Sequence, residues 1–591
     1  MTDATDEIDR DLTTRASNAT GENLRERAPE VAHAPAQEGV ARGRLAFGLL
    51  VFVLGVGLSL HLGMVSSDRF GEYYDDAIYV TAAKSLATGQ GYRMISLPQP
   101  IPQTLIPPLY PLLLSMVWRA FPQFPENLVW MMFVSVIAMM GFALLSWEYL
   151  VKNGYATQWQ ALAVVVLTVI NWRTMSLATS TISEILFSLL LVAALELAEE
   201  YEADRSTWRT GAAMGLIAGL VFLTRTSGLV LLIAVATYYL YRRRWKKVVL
   251  PVSVAMLFVI GWFSWCYLNQ NAVGGEHASY YAGYARGIGD TVGKLRTLNG
   301  ESTLVVYLQM IKTNLLGLVL VWAPLQSLGL RATLSLSLLV PLIMLALILL
   351  VAGFVRETRN GIRLLEIYCV FHLGVHLIVP SHSYERYIMP IVPLLLFFLV
   401  RELSHLFLAL RAALISSQSI LTKSVAAIIG LVVTGAAVVT FQSNLSGIYY
   451  SLTDSKPGVG SKQDAQIFDW IKTNTEPESV LICFGDLKYY LYTGRKTVRS
   501  IPVNILDLTV YQAKDPDLSE LATVFRNIVE ESRGSYVVLT PNDFRNQAPA
   551  YGASVEEYIT NHPERFIPVF QSEDGRNRIY QIRDVGGMRT G

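Results

Sequence analysis

Apolar positions in this chain are neither alternated nor grouped at helical spacing on one face. They run on continuously, in stretches near the length that crosses a bilayer, about 20 residues. Such stretches occur near Leu45–Met64, Leu128–Tyr149, Gln160–Thr174, Ile182–Ala198, Thr210–Leu223, Ser227–Tyr241, Val248–Tyr267, Leu334–Phe354, Leu364–Val379, Ile388–Val400 and Val425–Phe441. They predict about eleven spanning helices. Two further apolar stretches, Pro108–Phe121 and Thr303–Trp322, are expected to be re-entrant, to lie along the surface, or to raise the total to about thirteen.

The ends of the chain break this pattern. Met1 to Ala41 is polar and without apolar period, and is expected to form a disordered cytoplasmic arm. The apolar segment after it lies too far in, and is too long, for a secretory signal, and reads as a signal anchor. From about Ser455 the pattern shortens and mixes. Lys462–Thr473 and Leu518–Glu531 predict amphipathic helices; Ser479–Cys483, Ser535–Leu539, Phe566–Phe570 and Arg578–Ile582 predict strands. The expected architecture is a mainly α, polytopic helical bundle over residues 42–450, with a first outer loop at 65–126. A small extracytoplasmic α/β domain follows at 455–591.

Charge sets the orientation. The run Arg242-Arg243-Arg244-Trp245-Lys246-Lys247 is strongly basic, and Arg356 to Arg363 and Arg401 to Lys423 also carry basic residues. Positive loops stay inside. An odd number of spans then places the amino terminus in the cytoplasm and the tail outside, along with the loops Val65–Phe124, Gln270–Gly300 and Pro380–Tyr387. Composition agrees: 52% of residues are hydrophobic and 16% are charged, and the net charge of +1 leaves no nucleic-acid footprint. Of three cysteines, Cys266 and Cys369 lie in apolar runs and Cys483 stands alone in the tail, so neither a disulfide framework nor a zinc spacing arises.

Chemistry concentrates in the predicted outer loops. Asp75 and Asp76 adjoin one another in Glu72-Tyr73-Tyr74-Asp75-Asp76-Ala77-Ile78-Tyr79, ahead of a helical stretch from Ala77 to Leu86. A carboxylate there can deprotonate or orient an acceptor hydroxyl, and a second can hold that group or a metal. The alternative is helix capping, which favours the same residues. Pro107-Pro108-Leu109-Tyr110-Pro111 stiffens the return to the membrane, either as a rigid loop or as the wall of a groove. Glu184 and Arg225 fall near the outer ends of their helices, where ionisable groups are costly and often functional. The plainer readings are helix-start support for Glu184 and snorkelling for Arg225. In Pro380-Ser381-His382-Ser383-Tyr384-Glu385-Arg386-Tyr387, Arg386 is an outer-face cation that fits a phosphate, with His382 and Tyr384 as added hydrogen-bonding groups. A pair with Glu385 or a lipid headgroup is the alternative. The loop from Gly274 to Tyr284 is rich in glycine and tyrosine, which suits sugar stacking and equally a mobile loop.

Taken in order, these residues resemble the polytopic GT-C glycosyltransferases, nearest the protein-mannosyltransferase and aminoarabinose-transferase-like group. The resemblance runs through Asp75-Asp76, Tyr79, Ala82-Ala83, Leu86-Ala87-Thr88-Gly89, the 107–111 proline segment, Ser183-Glu184, Gly215 to Arg225, and Arg386-Tyr387 with Pro390 and Pro393. It implies an inverting enzyme of a bacterial inner or plasma membrane. Such an enzyme moves a sugar from a polyprenyl-phosphate donor to a lipid, glycan or protein acceptor on the outer face. It implies Asp75 as base with Asp76 as helper. Arg386, Arg225 and Tyr387 would bind the donor phosphate, and Glu184, Tyr79, Tyr110 and His382 would line the groove. No cofactor is required, and a divalent metal near Asp75 and Asp76 stays open. Leu105 and Ile106 stand where aminoarabinose transferases carry an acidic residue and a lysine, which favours a neutral sugar. No β-trefoil insertion is present. A transporter, a lipid-linked glycan ligase or polymerase, and a non-catalytic scaffold are the competing readings; a transporter would show internal repeats and broken midplane helices, and no repeat stands out.

Overall fold

The computed structural model describes residues 34–203, 207–272, 281, 303–322, 336–359, 361–378, 384–453, 459–501, 518–540 and 549–583. The chain divides into two compact units at Phe52, and everything below concerns Val53–Gly591 unless stated. The first helix, α1 (Ala34–Met64), crosses that boundary and begins inside the stretch expected as a disordered arm. Residues 1–33 of that arm lie outside the described residues.

The membrane part is helical, and the protein is an integral membrane protein. Its helices are α2 (Asp75–Ala87), α3 (Leu109–Ala120), α4 (Asn127–Lys152), α5 (Gln158–Val169), α6 (Trp172–Ala178), α7 (Glu184–Glu202), α8 (Trp208–Thr224), α9 (Leu229–Tyr241), α10 (Lys246–Leu268), α11 (Thr303–Trp322), α12 (Leu336–Arg359), α13 (Leu364–Ile378), α14 (Tyr384–Ile388), α15 (Val392–Ser416) and α16 (Ile420–Thr453). Among the described residues, five helices are long and apolar enough to cross a membrane, or six if one bent pair counts as a span. Eleven to thirteen were expected from the length of the apolar runs. Several of the others exist as helices but are short. At 1.5 Å per residue, the 17 residues of α8 and the 15 of α13 reach only about 23–26 Å, less than the ~30 Å hydrocarbon core.

The expected span Gln160–Thr174 is the bent pair. It breaks by 65° between α5 and α6. Asn171 causes the turn: its side chain accepts from the amides of Arg173 and Thr174, starting a new helix with its own cap. The stretch expected at Pro108–Phe121 is the 12-residue α3, packed along α2 and too short to span.

Close packing comes from small residues. A Cβ on Gly215 of α8 would lie 2.6 Å from the carbonyl oxygen of Pro251 in α10, and one on Gly219 would run into the ring of Phe258. Glycine at these positions lets α8 and α10 touch backbone to backbone, as small residues do between membrane helices.

The tail folds as α17 (Val459–Asn474), β3 (Val480–Cys483), α18 (Asp486–Thr493), β4 (Lys496–Arg499), α19 (Leu518–Ser532), β5 (Tyr536–Leu539), α20 (Pro549–Asn561), β6 (Phe566–Gln571) and β7 (Arg578–Ile582), two short strands β1 (Arg93–Met94) and β2 (Ile101–Pro102) having formed earlier, between α2 and α3. The five-stranded sheet runs β4-β3-β5-β7-β6. Its β4, β3 and β5 are parallel, with α18 as the crossover between β3 and β4, while β7 and β6 run antiparallel.

The tail shares its core with α2 and the segment between α2 and α3. Met94 and Leu97 pack with Ile482, Val498, Phe525 and Val537. Leu487, Tyr490 and Leu491 of α18 pack with Ile78, Ala82 and Ala83 of α2. Backbone bonds stitch the two together: the amide of Thr497 donates to the carbonyl of Ser96 at 2.8 Å.

Candidate active site

Four charged side chains meet where element ends converge. Asp75 opens α2, Glu184 opens α7, Arg225 follows α8, and Arg386 lies on α14. Glu184 is fully buried and is the centre. Its Oε1 accepts from Arg386 Nε at 2.5 Å and pairs with Arg225 Nη1 at 2.7 Å. Arg386 also donates through Nη2 to Asp75 Oδ2 at 2.8 Å. Two carboxylates and two guanidiniums thus form one neutral chain of charge. A buried carboxylate persists only when paired in this way. Glu184 Oε2 has no hydrogen-bond partner among the described residues.

Polar and aromatic neighbours hold the cations. Ser183 Oγ lies 2.6 Å from the Tyr79 hydroxyl and accepts from Arg225 at 3.3 Å. Arg225 lies over the ring of Tyr387 at 5.8 Å, and Arg386 over the ring of Tyr73 at 5.7 Å. The Tyr73 hydroxyl reaches Ser176 Oγ at 3.0 Å, and Arg69 donates to the same oxygen at 2.5 Å. Burial pushes the Tyr79 phenol up to about 12, so it stays a neutral hydrogen-bonding group.

The two adjacent aspartates have different surroundings. Asp75 keeps 39% of its side chain exposed. Asp76 is 1% exposed and turns inward. Its oxygens accept from the amides of Gly71 and Ala77, each at 2.7 Å. Desolvation pushes its carboxyl up to about 6, with the two amides pulling the other way. Successive residues at a helix start point about 100° apart, so neighbours in sequence need not share a site. Asp76 was expected to assist Asp75; the structure places it outside the hydrogen-bonded chain on Arg386, closing the turn from Gly71, whose φ of +90° suits glycine.

Tyr110 is likewise a packing residue. It is fully buried, edge-on to Tyr79 at 5.1 Å, and hydrogen-bonded to Ser135 at 3.0 Å. His382 and the side chains of Tyr384 and Glu385 lie outside the described residues, as does the 274–284 loop apart from Tyr281.

Sequence reasoning missed His372. Its Nε2 faces the carbonyl of Tyr387 at 2.7 Å, and its Nδ1 faces the Tyr368 hydroxyl at 3.0 Å. A carbonyl only accepts, so Nε2 carries the proton and Nδ1 accepts from Tyr368. This chain pins the residue after Arg386 to α13. The signal was present: histidines at i and i+4, His372 and His376, inside an apolar run.

A metal cage is not assembled here. Among the described residues, no group of three or more His, Cys, Asp or Glu side chains comes together, and both Asp76 oxygens are taken by backbone amides. The residues present do not fit an ion shared by the two aspartates.

No protein-family model matches this chain, and no curated protein matches it in sequence. Solved structures match it in shape. An Archaeoglobus fulgidus oligosaccharyltransferase tethered with an acceptor peptide aligns at a TM-score of 0.53 and 14% identity, over 90% of this chain and 74% of that one. The chain shares the fold of that structure. Archaeal AglB from the same organism, in complex with an inhibitory peptide and a dolichol-phosphate, aligns at 0.52 and 13% identity, over 92% of this chain and 75% of that one. ArnT from Cupriavidus metallidurans bound to undecaprenyl phosphate aligns at 0.49 and 13% identity, over 90% of this chain and 98% of that one. At such identities the likeness is one of fold. Within this fold, the charged chain from Asp75 to Arg225 sits at the ends of helices.

Proposed function

We propose that this chain is an inverting membrane glycosyltransferase that takes a sugar from a polyprenyl-phosphate donor and passes it to a hydroxyl acceptor on the outer face. The observation that carries this reading is the contrast within the charged chain. Glu184 is sealed between two arginines, while Asp75, on the same guanidinium, reaches solvent.

Asp75 is the base. It accepts the acceptor's O–H proton as that oxygen attacks the anomeric carbon, and the bond from that carbon to the phosphate oxygen breaks. The leaving phosphate gains one negative charge. Arg386 and Arg225 neutralise it, in the manner of donors arranged where charge develops. The resting site is neutral, so an arriving phosphodiester competes with Asp75 for Arg386. When Arg386 turns to the phosphate, Asp75 is released to take the proton. Donor binding thereby arms the base. Glu184 is a positioning residue that keeps both guanidiniums in place.

An apolar groove supports a lipid donor. A cavity of about 420 Å³ is lined by Leu86, Tyr92, Pro108, Leu223, Trp262 and Trp265. Leu223 lies two residues before Arg225. A groove of this composition suits an isoprenoid chain whose phosphate would reach the arginines. The dolichol-phosphate in the archaeal neighbour is consistent with such a donor. The basic loops favour an orientation with the amino terminus inside and the tail outside.

The test is transfer of radiolabelled sugar from polyprenyl-phosphate donors to a membrane extract, comparing the native chain with Asp75→Asn at matched expression. Transfer lost in the variant supports the reading. Equal transfer by both removes Asp75 as base, and no transfer with any donor removes the enzyme reading.

A further inference from the structure

The residue before Asp75 has a backbone that tyrosine rarely adopts. Tyr74 has φ +59° and ψ −48°, in the left-handed half of the map. For a bulky residue this is a true outlier, and such backbones persist only where the surroundings hold them. Tyr74 is the N-cap of α2, yet its side chain makes no capping bond. Its side chain is committed elsewhere, in the tail.

The Tyr74 hydroxyl donates to Oδ1 of Asp486, more than four hundred residues away. Asp486 is fully buried at the start of α18, and its Oδ2 accepts from Tyr281 at 2.9 Å. The guanidinium of Arg499, itself 4% exposed, lies 4.1 Å over the Tyr74 ring and 4.7 Å over Phe484. The backbone amide of Arg499 donates to the Tyr281 hydroxyl at 3.4 Å. A buried carboxylate and a buried guanidinium thus grip one phenol from its tip and its face. Apolar packing of α18 on α2 would dock the two parts without any of this. The polar grip falls on the strained residue.

We infer that the C-terminal α/β region sets the aim of Asp75: Asp486 and Arg499 clamp the Tyr74 side chain and so hold the left-handed turn from which Asp75 projects toward Arg386. This rests on the reading of Asp75 as the base. Asp486 and Arg499 are positioning residues that act through Tyr74. The tail is then part of the catalytic geometry, and a change in its docking alters transfer without touching the donor.

Two measurements on the full-length protein in detergent test this. The first is backbone hydrogen exchange over residues 71–78. The second is kcat and donor KM for sugar transfer. Tyr74→Phe keeps the ring over Arg499 and removes only the hydroxyl. The expected result is faster exchange at 71–78 and a kcat lower by about tenfold, with donor KM within about twofold of native. Asp486→Asn retains an acceptor oxygen for the phenol, so it should recover most of what Asp486→Leu loses. Unchanged exchange in Tyr74→Phe overturns the clamp. Faster exchange with native kcat overturns its role in aiming Asp75. Should the native chain transfer no sugar, the glycosyltransferase reading fails by itself, and the exchange comparison still upholds or overturns the clamp.

Discussion

Arg386 donates through Nη2 to Asp75 across 311 positions of sequence, at 2.8 Å, while its Nε donates to Glu184 at 2.5 Å. One guanidinium thus joins an exposed carboxylate to a buried one. A planar fork reaches both with separate nitrogens at fixed geometry, whereas a lysine offers one compact point of charge. Arg386→Lys should therefore keep the fold but break the bridge. We expect kcat/KM for transfer to fall by about 10- to 100-fold, a loss of about 1.4–2.8 kcal/mol in transition-state binding. Arg386→Met should lose more. Steady-state transfer kinetics on the two variants measure both.

Glu184 is buried between Arg386 and Arg225, so its removal strands two cations side by side. Breaking a buried pair from one side costs about 3–5 kcal/mol, because the remaining charge is left without compensation. Glu184→Leu should show a loss near that range in detergent-solubilised thermal unfolding. Removing one arginine at the same time relieves the repulsion. The double variant Glu184→Leu with Arg225→Met should be less destabilised than the two single losses added together. Simple additivity would mean that the three groups are not coupled.

Asp76 offers a pH test that separates it from Asp75. Its carboxyl is raised from 3.8 to about 6, chiefly by desolvation. A raised value means that the folded state holds the proton more tightly than the unfolded chain. The associated stability is therefore full below pH 3.8 and is lost as pH rises through about 6. A rise of that size corresponds to about 3 kcal/mol at most. Asp76→Asn should flatten the pH dependence of unfolding between about pH 4 and 6. It should leave transfer close to native, since the Asp76 oxygens are engaged by backbone amides and not by Arg386. A large loss of transfer in Asp76→Asn would return Asp76 to the chemistry.

Much of this site was readable in one dimension, for a physical reason. Charges at membrane depth are expensive, so Glu184, Arg225 and Arg386 stand out against their apolar surroundings. The strands at 480–483, 536–539, 566–571 and 578–582 were readable because short β-rich runs contrast with the spans before them. What failed was anything set by direction or distance. Asp76 could not be told from Asp75, because side-chain direction at a helix start depends on the turn before it. The short helix 486–493 and strand 496–499 passed unnoticed, since neither segment carries a long period of its own. The Tyr74–Asp486 contact has no local signature. Whether each apolar run crosses as one unbroken helix was not readable either, as the break at Asn171 illustrates.

Arg225 directly follows α8, and α8 approaches α10 closely. That approach is set by Gly215, where a Cβ would meet the Pro251 carbonyl at 2.6 Å and its Cα at 2.9 Å. Both are backbone atoms and cannot rotate away, so even Gly215→Ala must push the helices apart. We expect a loss of about 1–3 kcal/mol in thermal unfolding, the usual cost of overpacking. A Cβ on Gly435 in α16 would meet nothing within 4 Å, so Gly435→Ala should be neutral or stabilising by about 0.5–1 kcal/mol through helix propensity alone. The two substitutions add the same methyl group, and only one lies upstream of the arginine that caps α8. If Gly215→Ala raises donor KM while Gly435→Ala does not, the α8–α10 contact is what sets Arg225 against Glu184. If both leave KM at the native value, Arg225 is held by Glu184 and Ser183 alone.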